Sequence, residues 1–289
     1  MPIMSMLPGI HDTDFLSLLM ATVVLRPYVF ILLLLYLVTG GLQLGPRRIV
    51  LFMVLAYTIA FISEFSSTRI GIPYGMYIYT GETHGKELYV SNVPFMDSLS
   101  YTFLAYFSYS LALLVTSQLF RSGYDIQLIK DKRLWRSGGV LLLAAIFMVL
   151  QDVVVDPVAL RGAGWFLGQI FYYPDAGIYF GVPISNFAGW FVVALAIIYL
   201  FQRLDGFLDR WAGLRGEGGR YVPMKAVLGP ACYFATMFFN IAVTIYIGEY
   251  CLGLASLVIV GILIYIVWSC IFAARQVDRT ELRRIATSP

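Results

Sequence analysis

Four carboxylic acids, Glu64, Asp97, Asp152 and Asp156, stand within or at the edges of long apolar runs, with Gln151 and Asn186 beside them. An ionisable side chain in such a setting is costly to keep and marks a working site by default. Asp152 and Asp156 are four residues apart, so on a helix they share a face. Glu64, Asp152 and Asp156 fall toward the C-terminal ends of their runs, where the helix dipole opposes a negative charge. Burial acts in the same direction, so these three are expected to favour the protonated form. Asp97 and Asn186 each follow a proline by three residues, in a first helical turn where the dipole favours an anion and where either could simply cap free N–H groups. Asp156 precedes Pro157 and could simply end its helix. Carboxyl groups of both kinds, set close together, suit acid–base chemistry on an apolar molecule.

Other chemistries lack their parts. The chain has two histidines, His11 and His84, with no helical HxxxH pair, which argues against a histidine-ligated metal. Cys232, Cys251 and Cys270 fall in apolar runs without a CxxC pair and read as packing residues. There is no glycine-rich dinucleotide fingerprint, no P-loop, no Asp-rich diphosphate motif and no Ser-His-Asp set, so no cofactor and no metal are expected. A net charge of +3, scattered over loops, is no nucleic-acid signature. Aromatic residues crowd two segments near the acids: Tyr74, Tyr77, Tyr79, Tyr89, Trp165, Phe166, Phe171, Tyr172, Tyr173, Tyr179 and Phe180. Such rings can hold a flat apolar ligand or stabilise a passing carbocation; they also suit an interfacial belt. Arg69 is near enough in sequence to pair with one of the acids, or to snorkel at the interface.

The elements that position these groups are membrane spans. Sixty per cent of the 289 residues are hydrophobic and 13% charged, about half the charge of an ordinary soluble domain. Seven apolar runs follow, at 28–44, 49–66, 98–120, 137–155, 184–201, 226–247 and 252–273, which predicts an all-α polytopic bundle forming a single integral membrane domain over 1–289. Residues 15–25 read as a short interfacial helix or an extra turn before the Arg26-Pro27 break, and residues 1–14 lack the features of a cleaved signal peptide. Loops on one side of this layout hold 16 basic residues and those on the other hold 4. The basic side is therefore expected to be cytoplasmic, with the N-terminus outside and the C-terminus inside. Two outer loops, 68–94 and 156–183, are rich in Gly, Tyr and Pro and are expected to fold over or re-enter the bundle end as lids.

These loops also look like copies of one unit. Glu64 is followed 30 residues later by Pro94 and then Asp97; Asp152 is followed 31 residues later by Pro183 and then Asn186. A parallel internal repeat of 49–120 and 137–204 is expected.

The run Gly177-Ile178-Tyr179-Phe180-Gly181-Val182-Pro183-Ile184-Ser185-Asn186-Phe187-Ala188-Gly189-Trp190, with Asp156-Pro157 before it, resembles the signature of the membrane carotenoid hydratases. Glu64 with Pro73-Tyr74-Gly75-Met76-Tyr77-Ile78-Tyr79 resembles the first loop of that family. The resemblance implies an enzyme that adds water across the terminal trisubstituted double bond of a linear carotenoid. A carboxylic acid would protonate the alkene and water would capture the tertiary cation. On that view Glu64 or Asp152 is the acid and Asp97 orients or deprotonates the water. Asp156 and Asn186 support them, and Tyr74, Tyr77, Trp165, Tyr179, Phe180 and Arg69 border the substrate. The implied partners are an apolar carotenoid, the lipid bilayer and, as candidates, other enzymes of carotenoid biosynthesis. A carotenoid end-group cyclase begins with the same protonation. A carotenoid-binding protein or a proton-coupled transporter is the non-enzymatic alternative.

Overall fold

The computed structural model describes residues 15–211 and 221–287; the segment before Phe15, with His11, lies outside the described residues. Among the described residues, seven helices are long and apolar enough to cross a membrane: α2 (Pro27–Leu44), α3 (Pro46–Ile70), α4 (Phe95–Thr116), α6 (Gly138–Ala159), α7 (Ile184–Trp211), α8 (Lys225–Tyr246) and α9 (Tyr250–Phe272). Each apolar run in the sequence becomes one of them. Residues Phe15–Leu25 form a separate short helix, α1, because Arg26 leaves helical geometry and Pro27 restarts the chain at the first turn of α2. Gly45, with φ of +93°, and Pro46 make the same stop and restart between α2 and α3. Gly71 closes α3 in the left-handed conformation that glycine adopts without penalty.

Helix α4 is the central post. It is the least apolar of the seven spans, and every side chain from Tyr101 to Leu114 is buried against its neighbours. Most of its hydroxyls find partners inside the bundle, as a low-dielectric interior demands, and Thr102 Oγ1 is the exception among them. Tyr106 and Ser110 both donate to Gln43 Oε1 on α2, at 2.7 and 2.9 Å, and Tyr109 donates to the Trp135 carbonyl at 2.9 Å. Glycine allows the close approach of α8 here: a Cβ on Gly229 would meet Ser110 Oγ at 2.3 Å. At the opposite extreme, α9 presents most of its side chains outward.

The end of the bundle that carries the basic residues is tied by charge. Asp205 and Asp209, on the charged extension of α7, bind Arg48 of α3 together with Lys132 and Arg136. Lys132 and Trp135 bound a one-turn helix, α5, capped by Asp131. The segment from 119 to 128 is structured beyond a plain connection. Strands Leu119–Ser122 and Asp125–Leu128 form a hairpin through Gly123, and Arg275–Gln276 adds a parallel third strand. A final helix, α10 (Arg279–Thr287), packs Leu282 and Ala286 inward.

At the other end the two long loops form a shared lid. Ile78–Tyr79 of the first pairs antiparallel with Phe171–Tyr172 of the second, and Thr80 adds bonds to the carbonyls of Gln169 and Ile170. A tight hairpin, Tyr89–Val90 with Val93–Pro94, leads into α4. Arg26, at the α1–α2 break, holds both loops. Its Nε and Nη2 donate to the Glu87 carboxylate at 3.0 Å each, and Nη1 donates to the Leu167 carbonyl at 2.7 Å. Both side chains are almost fully buried.

Candidate active site

Beneath the lid lies a cavity of about 350 Å³, walled by α2, α3, α4, α6, α7, α8 and the two loops. Glu64 reaches it from the last turns of α3, Asp97 from the first turn of α4, Asp156 from the last turns of α6 and Asn186 from the first turn of α7. Helix polarity thus places two acids at helix C-terminal ends, facing groups at N-terminal ends. The rest of the wall is largely aromatic and aliphatic.

The polar groups form two clusters. In one, Ser98 donates a hydrogen bond to Glu64 Oε2, and the Tyr79 hydroxyl interacts with both Glu64 and Asp97. Tyr77 and Tyr79 share a hydroxyl contact of 3.3 Å. In the other cluster, the Asn186 amide uses its two N–H donors on two acids, Asp152 Oδ2 at 2.9 Å and Asp156 Oδ2 at 3.1 Å. The Tyr173 hydroxyl also donates to Asp156 Oδ2, at 3.0 Å. Burial pushes the hydroxyls of Tyr77, Tyr79 and Tyr173, all on the loops, well above the usual tyrosine range. They therefore remain neutral donors at any physiological pH.

Several residues expected from sequence meet here. Glu64, Asp97, Asp156, Asn186, Tyr74, Tyr77 and Trp165 all line the cavity. Asp97 is the third residue of α4 and lines the cavity from that helix's first turn. Asp156 does not end its helix; α6 runs on through Pro157 to Ala159.

Others lie elsewhere. Asp152 is buried behind Asn186, with Oδ1 unpartnered, and does not reach the cavity wall. Arg69 is at the surface: its guanidinium lies 3.4 Å from the Phe65 ring centroid and donates to Asn92 Oδ1 at 2.8 Å. Tyr179 and Phe180 sit in the turn before α7 and do not line the cavity; the Tyr179 ring packs on Phe187, and the Phe180 carbonyl accepts from Arg161.

Sequence reasoning passed over Ser98, Tyr101, Trp190, Thr236 and Asn240. Tyr101 and Trp190 stack at 4.4 Å between centroids and form one wall. Each stands four residues after Asp97 or Asn186, on the same helix face, which is a signal the sequence does carry. Thr236 and Asn240 bring α8 into the site. Gly189 fits the first loop against α7: a Cβ there would come within 2.6 Å of Tyr74 Cδ1 and 2.7 Å of the Pro73 carbonyl oxygen. Among the described residues, no group of three or more His, Cys, Asp and Glu side chains is placed to hold a metal ion.

A family model described as "Carotenoid biosynthesis protein" matches residues 15–267. The chain belongs to this carotenoid biosynthesis family. The match spans α1 through most of α9 and so contains the whole cavity, lid included. No curated protein and no solved structure gives a match. For a carotenoid biosynthesis protein with seven apolar helices, an apolar substrate and a bilayer setting follow directly.

Proposed function

We propose that the protein is a carotenoid hydratase, adding water to the terminal trisubstituted double bond of a linear carotenoid end group. The observation that carries this is the wall of the cavity: three carboxyl groups, each beside a hydroxyl or amide donor, in a surround of aromatic and aliphatic side chains. Glu64, held by Ser98, is the general acid. Its proton goes to the less substituted alkene carbon, forming a C–H bond and leaving a tertiary cation. Tyr74, Tyr77, Tyr101 and Trp190 face that cation with their rings. Water attacks the cation, and Asp97 takes the released proton. Tyr79, in contact with both acids, returns it to Glu64, so one water is consumed and the acid is restored. Asp156, fixed by Asn186 and Tyr173, orients the water from the opposite wall, and Asp152 holds Asn186 in place.

We also read the lid as lying on the outer face, with the C-terminus cytoplasmic, on the strength of 16 basic residues against 4. The units 49–120 and 137–204 form a parallel repeat in this reading, supported by their common helix–loop–helix plan and by the pairing of their loops through Ile78–Tyr79 and Phe171–Tyr172.

Expression in cells that make lycopene, with mass analysis of the pigments, tests the proposal. A mass gain of one water per modified end is the expected result. An isomer of unchanged mass would replace hydration by cyclisation, and unaltered pigment would remove the enzymatic reading.

A further inference from the structure

One side of the cavity is not closed by the described residues. Of the residues lining it, three are exposed: Ile31 on α2, with Ala235 and Phe239 on α8. Ile31 is 59% exposed and Phe239 43%. Ile31 belongs to the outward stripe Pro27, Ile31, Leu34 and Val38 of α2, and Ala235 to the stripe Ala231, Ala235, Phe238 and Ala242 of α8. A side chain can belong to both a cavity wall and an outward stripe only where the cavity opens between its helices. The opening has a top and a bottom. Above, the Phe166 ring reaches from the second loop to Tyr28 on α2, at 5.8 Å, and to Phe239 on α8, at 6.3 Å. Below, α2, α4 and α8 close together where Gln43, Tyr106 and Ser110 bond and Gly229 abuts Ser110. The window lies within the membrane-spanning part of both helices, so its outer side meets acyl chains.

The volume says what passes through. About 350 Å³ is near the floor of the range for sites that enclose a drug-sized ligand, roughly 300–1,000 Å³. One branched end group fits; a forty-carbon polyene does not.

We infer that the carotenoid enters sideways from the bilayer between α2 and α8, and that its chain stays threaded past Ile31, Ala235 and Phe239 while the end group reacts. The substrate class rests on the function proposed above. Ala235 is the threshold, a small side chain where a large one would bar the way. The far end of the molecule remains in lipid, unexamined by the protein, so selectivity is for one end group and not for the whole pigment.

The test uses the full chain in lipid nanodiscs with lycopene as probe. Two readouts are followed: circular dichroism induced in the polyene absorption band, which reports binding, and formation of the water adduct. Ala235→Trp should abolish the induced signal and cut turnover by about tenfold or more, equivalent to roughly 1.4 kcal/mol of productive binding. Leu257→Trp, on the outward face of α9, should leave both unchanged. If Ala235→Trp does not fold, as judged by size exclusion, Ile31→Trp takes its place with the same expectations. Wild-type turnover together with an obstructed variant that binds and reacts normally would overturn the window. Loss of the induced signal in the obstructed variant, with no adduct from the wild type, would leave the window standing and remove the hydratase reading instead.

Discussion

Replacing Glu87 by alanine should loosen the lid more than any change made to the lid's own aromatic contacts. The Arg26 guanidinium is 3% exposed and the Glu87 carboxylate 0%, and two of the three hydrogen bonds that Arg26 donates end on that carboxylate. An arginine cannot shed its charge, so Glu87→Ala leaves a buried cation with only the Leu167 carbonyl for company. Removing one partner of a buried pair costs about 3–5 kcal/mol. At about 2–4 °C per kcal/mol for a chain of this size, the melting temperature should fall by roughly 6–20 °C. Thermal unfolding in detergent, followed by intrinsic fluorescence, measures the drop. Hydrogen exchange over residues 71–94 and 160–183 should show that protection is lost first in the two loops. The double variant Arg26→Met, Glu87→Leu removes both charges and fills the space with apolar atoms, and should recover most of the loss. Single variants that melt within about 2 °C of the wild type, or a double variant no better than the worse single, would refute the view of this pair as the clasp of the lid.

The remaining predictions concern the cavity. Glu64→Gln and Asp97→Asn should each reduce carotenoid conversion by about 10²–10⁴-fold, the usual contribution of general acid–base catalysis, while leaving membrane insertion and expression intact; full turnover in both would sink these role assignments. Tyr173→Phe removes one donor from Asp156 and should slow turnover several-fold, in keeping with about 1 kcal/mol for a hydrogen bond, with little change in melting temperature. Because burial holds the Tyr77, Tyr79 and Tyr173 hydroxyls above their ordinary range, raising the pH to about 10 should produce no tyrosinate absorbance from them and no activity loss attributable to them. Gly189→Val forces a side chain against Tyr74 and Pro73 and should cost about 1–3 kcal/mol of stability by overpacking, read as a lower melting temperature.

The spans were legible because the information is local: about twenty apolar residues in a row mean the same thing in any context. The acids were legible for a related reason, since a carboxyl in such a run is costly enough to stand out. What the sequence hid is long-range. Ser98 meets Glu64 across 34 residues, and Asn186 meets Asp152 across the same distance. No periodicity encodes either. Arg26 stands at a helix break and Glu87 in the first long loop; their pairing spans 61 residues. Asp152 and Glu64 look alike in the sequence, but whether a side chain points into a cavity or behind it depends on the neighbouring helix. Thr236 and Asn240 of α8 line the cavity, yet nothing in their spacing sets them apart from other polar residues in a span. The apolar run 98–120 overshoots the third span, because Leu119-Phe120 is a strand edge whose apolar character serves a small sheet.

The central position of α4 bears on how the chain reaches the bilayer. A segment that carries Ser98, Ser100, Thr102, Ser108, Ser110 and three tyrosines is a weak signal for its own partition into lipid, whereas α3 before it and α6 after it are strong ones. Ser98, Tyr106, Ser110 and Tyr109 are satisfied by Glu64 of α3, Gln43 of α2 and the Trp135 carbonyl of α5, all arranged around it. Partition of α4 is therefore expected to depend on company, with α3 beside it supplying the apolar signal that α4 lacks. Weakening the apolar character of α3 should thus strand α4 outside the membrane, although no residue of α4 has changed.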